Sequence, residues 1–148
     1  MKEFKKILFP VDISESSAKI VPYVQALAKK FESQIHLLFV ARTYHYFTNM
    51  YVPSSSIIQF ETEVIMGSQK RLDEFISQFF SEFPTTQKYV VAGDPAEQII
   101  SFITDNQIDL IIMGTHGRKG MEKIIFGSVA DRVVKTSPVP VMVINPYK

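Results

Sequence analysis

Five short apolar runs, separated by longer stretches of helical period, restrict what this chain can fold into more than any other feature. They occupy residues 6–11, 35–40, 88–91, 110–113 and 139–144. Their residues are apolar at successive positions rather than at every second one. That pattern suits strands buried on both faces, as parallel strands under helices are. Between them, Ile20, Val24, Leu27 and Phe31 recur at the spacing of an amphipathic helix. Leu72, Phe75, Phe79 and Phe83 mark a second helix beginning near Ile57, and Phe126, Val129, Val133 and Val134 a fourth. The third opens at Asp94-Pro95, with Asp as N-cap and Pro at the first helical position. Strands and helices in strict alternation predict an α/β fold, a single open five-stranded parallel sheet with helices on both faces. One domain spans 1–148.

Local signals refine this outline. Ser14 is the expected N-cap of the first helix, with Glu15 adding negative charge to its first turn. Pro22 falls inside that helix and predicts a kink. Gly67 inside the second costs about 1 kcal/mol relative to alanine. Residues 43–56 break the rhythm with Tyr44, His45, Tyr46, Phe47, Met50, Tyr51 and three serines. They form either a cover over the sheet edge or a lid and partner-contact surface.

Composition removes several function classes. With a formal charge of +1, the chain has no field that argues for nucleic acid or an anionic membrane as partner. There are no cysteines, which excludes disulfides and thiolate metal sites. No apolar stretch approaches the ~20 residues that span a bilayer. The run at Ile7-Leu8-Phe9 is too short for a signal peptide, so a cytoplasmic location is expected. His36, His45 and His116 are too dispersed to form a metal site, and His36, inside a strand, reads as structural.

The stretch after the fourth run carries the chemistry: Gly114-Thr115-His116-Gly117-Arg118-Lys119-Gly120, then Gly127-Ser128-Val129. In open α/β sheets, ligands sit beyond the carboxyl ends of strands where the strand order reverses. Glycine there permits positive φ and close approach of backbone to ligand. Gly127-Ser128 is expected at the start of the fourth helix, whose free amides and dipole favour a phosphate beside Arg118 and Lys119. Neither GxGxxG nor GxxxxGK[ST] occurs, so neither a dinucleotide fold nor a P-loop is supported. On the residues alone, the glycines serve either turns or a phosphate site.

The spacing Gly114-x-x-Gly117, nine residues, Gly127-Ser128 resembles the ATP-binding branch of the universal stress proteins. Ile7-Leu8-Phe9-Pro10-Val11-Asp12 with Ser14 and Ser16, Gly93-Asp94-Pro95, Asp109 to Gly114, and Ser137 to Ile144 agree in order and spacing, so the resemblance spans essentially the whole chain. It implies strand order 3-2-1-4-5 in an adenine nucleotide alpha hydrolase-like fold. It places Pro10, Val11, Asp12 and Val40 around adenine and ribose. Met113, Gly114, Thr115, His116, Gly117 and Arg118 then line ribose and phosphates, and Gly127, Ser128, Val129 and Ala130 hold the phosphates. The alternative to these roles is a turn residue at Asp12, plain core at Val40 and Met113, and a solvent-facing loop histidine at His116. Ile13 departs from the family, where small residues often follow the Asp, and the 43–56 insert is also this chain's own.

The resemblance implies an ATP-binding regulatory module, with Mg²⁺ or Mn²⁺, acting as a homodimer through Val139, Val141, Met142, Val143 and Ile144 of an apolar edge strand. The alternatives are a weak ATPase or phosphotransfer enzyme and a nucleotide-free dimeric interaction module. No catalytic residue is assigned, since no nucleophile sits beside a base and no paired carboxylates follow the glycine loop. At most, slow ATP hydrolysis is expected.

Overall fold

The computed structural model describes residues 3–42, 54–115 and 122–147, with the backbone alone at 54 and 122–127. Among them, strands and helices alternate as β1 (Lys6–Pro10), α1 (Glu15–Phe31), β2 (Gln34–Arg42), α2 (Ser54–Phe79), β3 (Gln87–Gly93), α3 (Pro95–Asn106), β4 (Leu110–Gly114), α4 (Glu122–Thr136) and β5 (Val141–Ile144). Every strand pair is parallel, in the order β3-β2-β1-β4-β5. The expected fold class and strand order are therefore present.

The strands are apolar on both faces because both faces are covered. Ile7, Phe9, Val11, Leu37, Phe39 and Ile112 pack under α1 and α2, against Val24, Leu72 and Phe75. Leu8, Leu38, Ile111 and Met113 pack on the opposite face against Ala96, Ile99, Ile103 and Val133 of α3 and α4. Ile7, Leu8 and Phe9 of the central strand are completely inaccessible. At roughly 1.5–3 kcal/mol per fully buried large apolar side chain, this strand anchors both layers.

Several boundaries differ from expectation, each for a local reason. The fifth strand starts at Val141, so Val139 and Pro140 precede it. Ser137 Oγ accepts from the Val139 N–H (3.1 Å) and donates to the Val139 carbonyl (2.7 Å), a local turn that competes with strand pairing. Helix α1 runs unbroken across Pro22 for 17 residues, so the proline does not divide it. Helix α2 is 26 residues long and takes up Ser54, Ser55 and Ser56. The remainder of the aromatic insert, 43–53, including His45, lies outside the described residues. Gly67 sits in α2 with nothing within 4 Å of where a Cβ would be, so its cost there is one of chain entropy alone.

The turn from β3 into α3 matches its sequence signal. Gly93 has φ 142°, and a Cβ there would lie 2.8 Å from Gln98 Nε2, which restricts the position to glycine. Asp94 caps α3 by accepting from the Glu97 N–H at 3.0 Å. Arg132 Nη1 of α4 reaches the same carboxylate at 3.0 Å, joining the two helices that share a face.

The amino end of the sheet is closed by Asp109. Its Oδ2 accepts from the backbone N–H groups of Lys5 and Lys6, each at 2.9 Å. Deeper at that end, the His36 ring is 4% exposed, stacked on Tyr89 with centroids 5.9 Å apart and edge-on to Phe102 at 6.2 Å. Neither ring nitrogen has a hydrogen-bond partner among the described residues. His36 is structural, as its strand position suggests.

Burial, and secondarily the nearby Lys6 ammonium, lower the His36 pKa below 6.5. As pH falls through 6.5 the unfolded chain binds a proton that the folded chain refuses. Stability is thus fully present above that pH and is lost below it. His36→Phe, which keeps a ring in the stack, should show a growing stability advantage over the wild type in urea melts taken from pH 8 down to pH 5, relative to any offset at pH 8. Parallel curves for the two proteins would disprove this account of the histidine.

Candidate functional site

At the carboxyl end of the sheet the pairing of β1 with β4 stops short, and one residue accounts for it. In a parallel ladder, alternate residues turn their N–H and C=O toward one neighbour and then the other. The Lys6 carbonyl accepts from the Asp109 N–H (2.9 Å), and the Val11 N–H donates to the Leu38 carbonyl (2.9 Å). Even-numbered residues of β1 therefore face β4, and odd-numbered ones face β2. Pro10 is even, and proline has no N–H to give. The β1–β4 ladder accordingly pairs Ile7 with Leu110 and Leu8 with Ile111 and goes no further. On the other side, β1 pairs with β2 from Lys6 to Pro10.

This gap lies at the topological switch point, between the strand that leads to β2 and the one that leads to β5. The same alternation orients its walls. Val40 lies two residues beyond Leu38, on a strand that outruns β1, so its N–H and C=O turn toward the space past the end of β1. Across the gap, Thr115 N–H bonds to the Ile144 carbonyl (2.8 Å), which turns the main-chain groups of Gly114 toward β1. The side chains of Val40 and Met113 pack into the core layer beneath α3 and α4.

Asp12 follows β1 at this end of the sheet. Its Oδ1 accepts from the Ser14 N–H (3.0 Å), from the Ser14 hydroxyl and from Ser17 Oγ (2.8 Å), while its own N–H donates to Ser17 Oγ at 3.1 Å. Its Oδ2 is buried with no hydrogen-bond partner among the described residues. Ser14 occupies the N-cap position of α1, but its side chain makes no capping bond; its hydroxyl is turned toward Asp12, to which it donates. The expected serine cap is thus replaced by a carboxylate cluster. A buried carboxylate oxygen left unpaired is costly, and it fits a hydroxyl or amine donor brought by a ligand.

The other expected site residues are less uniformly placed. Helix α4 begins at Glu122, so Gly127 and Ser128 lie in its second turn and not at its free N-terminus as expected. The unpaired amides that favour an anion belong to the first turn, next to the loop that leaves Gly114. Ser128 is exposed, Val129 half-buried, and Ala130, 2% exposed, is a core residue. His116, Gly117 and Arg118 lie outside the described residues. Among the described residues, no cluster of three or more His, Cys, Asp and Glu can hold a metal ion. Sequence reasoning missed Ser17, which braces Asp12 on two sides; its signal was a second hydroxyl five residues after the Asp.

Comparison with known proteins agrees with this architecture. The model of the universal stress protein family matches residues 3–145. The chain belongs to this family. Among its relatives, the universal stress protein MJ0531 of Methanocaldococcus jannaschii is 27% identical, over 98% of this chain and 84% of that protein. The universal stress protein MJ0577 of the same organism is 29% identical over 96% of this chain and 95% of its own length. The solved structure of MJ0577 superimposes with a TM-score of 0.81, at 25% identity over 97% of both chains. A universal stress protein from Archaeoglobus fulgidus, solved in complex with dAMP, shares the fold with a TM-score of 0.65 at 17% identity, over 97% of this chain and all of that one.

The account of the gap can be checked without a ligand. Pro10→Ala restores the missing donor opposite the Ile112 carbonyl. The new amide at residue 10 should exchange with solvent slowly, as ladder amides do. Fast exchange there would mean that something other than the missing N–H holds β1 and β4 apart.

Proposed function

We propose that this universal stress protein is an ATP-binding regulatory module of the stress-response type, acting as a cytoplasmic homodimer with slow hydrolysis at most. The observation that carries the reading is the buried, unpartnered Oδ2 of Asp12 at the switch-point gap. A ribose hydroxyl supplies the donor that this oxygen lacks. The main-chain N–H and C=O of Val40 offer the donor–acceptor pair that an adenine edge requires. The phosphates would then lie between Gly114 and the free amides in the first turn of α4, with His116, Gly117 and Arg118 in the connecting sequence and Gly127-Ser128 one turn further in. The dAMP complex of the Archaeoglobus fulgidus protein supports the same fold as a holder of adenine nucleotides. A divalent Mg²⁺ or Mn²⁺ would arrive with the triphosphate and not in a protein cage, in keeping with the hydrated chemistry of these ions at phosphates. Among the described residues, no helix is long and apolar enough to cross a membrane.

Calorimetric titration with Mg-ATP tests the site. Asp12→Asn keeps Oδ1 as an acceptor for Ser14 and Ser17 but puts an amide where Oδ2 stands. It should weaken ATP about 10- to 100-fold, the worth of a hydrogen bond to a charged group. Gly127→Val should abolish binding while leaving the thermal midpoint nearly unchanged. Wild-type affinity in both variants would remove the nucleotide from this gap. In the same samples, turnover should stay well below the ~10 s⁻¹ typical of enzymes.

Dimerisation is read from β5. It is the last strand of the sheet, and Met142 is 37% exposed on it. The C-terminal tail does not run along its free edge. Tyr147 instead meets Ser16 (3.0 Å between hydroxyls) and the Lys19 ammonium on α1. Pairing of two β5 edges about a twofold axis satisfies both sets of backbone groups. Val139 and Val141 already pack on the core beneath α3 and α4, and Ile144 on the layer under α1 and α2, which leaves Met142 and Val143 as the better interface residues. Light scattering at micromolar concentration should give twice the chain mass, with Val143→Asp shifted toward monomer. A monomeric wild type would overturn the assignment.

A further inference from the structure

The turn between β1 and α1 holds a residue in a conformation that its side chain disfavours. Ile13 has φ 59°, and a β-branched residue is rarely left-handed. Glu32 and Gln107 are also left-handed, but each closes a helix, where that conformation lets the backbone N–H reach back to the last carbonyls. Ile13 closes no helix, and the local bonds across it run from the Ser14 N–H and hydroxyl to Asp12 Oδ1. A further restraint, on its own peptide, comes from far along the chain: Arg71 Nη2, on α2, donates to the Ile13 carbonyl at 3.1 Å. The Ile13 side chain, half-buried against the layer under α1 and α2, resists rotation from the other side.

We infer that Arg71 is a positioning residue that pins Ile13 in the left-handed conformation and so aims Asp12 into the gap. The inference rests on the reading of that gap as a nucleotide site. Freed of Arg71, Ile13 relaxes toward extended or right-handed backbone, and its peptide planes turn. Asp12 sits one residue away, and the Ser14 N–H that braces its Oδ1 sits one residue to the other side. Both shift with the turn, and Oδ2 no longer faces the ligand. Arg71 does this from the surface of α2, so its removal leaves the core closed.

A double-mutant cycle separates this role from a simple attraction of positive charge for phosphate. With Ile13 present, Arg71→Ala should weaken ATP about tenfold, the population ratio set by the left-handed penalty of a β-branched residue. In an Ile13→Gly background, where that conformation is free, the same change should cost less than about twofold. Equal losses in both backgrounds would mean that Arg71 acts on the ligand through its charge and would overturn the inference. Hydrogen exchange without nucleotide gives a second readout. Amides of Asp12 and Ser14 should exchange about tenfold faster in Arg71→Ala than in wild type, and far less so in the Ile13→Gly background. Unchanged exchange in Arg71→Ala would sink the clamp. A wild type that binds no ATP, yet shows the exchange pattern, would sink the nucleotide reading and leave the clamp standing.

Discussion

A strand buried on both faces cannot leave backbone groups unpaired, because no water reaches them. In this molecule the central strand obeys that constraint everywhere except at its carboxyl end. Ile7, Leu8 and Phe9 are wholly inaccessible; all three pair with β2, and Ile7 and Leu8 pair with β4 as well. At Pro10 the donor to β4 is missing, and the ladder stops there. Polar groups that would otherwise pair across the ladder face a gap instead. The break in pairing at the switch point therefore follows from the absence of one N–H in an otherwise paired sheet.

The two ends of the sheet handle carboxylates in opposite ways. At the amino end, one oxygen of Asp109 takes two backbone amides and stitches the chain start to β4. At the carboxyl end, Asp12 Oδ1 takes three donors, and Oδ2 takes none among the described residues. A carboxylate with one oxygen saturated is fixed in orientation, and the second oxygen stays buried and unpaired instead of turning to a partner. Ser14 gives up the helix cap to achieve this, a loss of about 1 kcal/mol by ordinary capping energetics. The cost makes sense as local strain held at a site and offset by the packing elsewhere.

Much of this was legible in the residues. The strands could be read because burial on both faces leaves nothing but apolar positions, and the turn at Gly93-Asp94-Pro95 because each residue has a single conformational reason to be there. The family spacing then supplied the strand order. What could not be read depended on contacts distant in sequence. The start of β5 was set by Ser137 bridging Val139, and nothing in the apolar run from Val139 to Ile144 marks that choice. Helix α2 reached back to Ser54 because serines tolerate a helix once the turns beyond them are anchored by Leu72 and Phe75. Gly127-Ser128 resembled a helix start by pattern, yet Glu122 opens the helix. Asp12 could be singled out from its place after β1; that only one of its oxygens would be satisfied could not.

Ile13 shows how a departure from a family pattern becomes physical. A small residue after the Asp would adopt the left-handed turn at little cost, and the turn would need no brace. A β-branched residue carries a penalty there that must be met by something outside the turn. Arg71 and the apolar packing of the Ile13 side chain meet it from the α2 side of the sheet. The conformation of the β1–α1 turn is thereby tied to the position of α2, a helix whose first turns project exposed Ile58 and whose middle exposes Met66. In a chain with glycine at this position the turn and the helix would be independent. Here, a shift of α2 large enough to break a 3.1 Å hydrogen bond would also loosen the turn that carries Asp12.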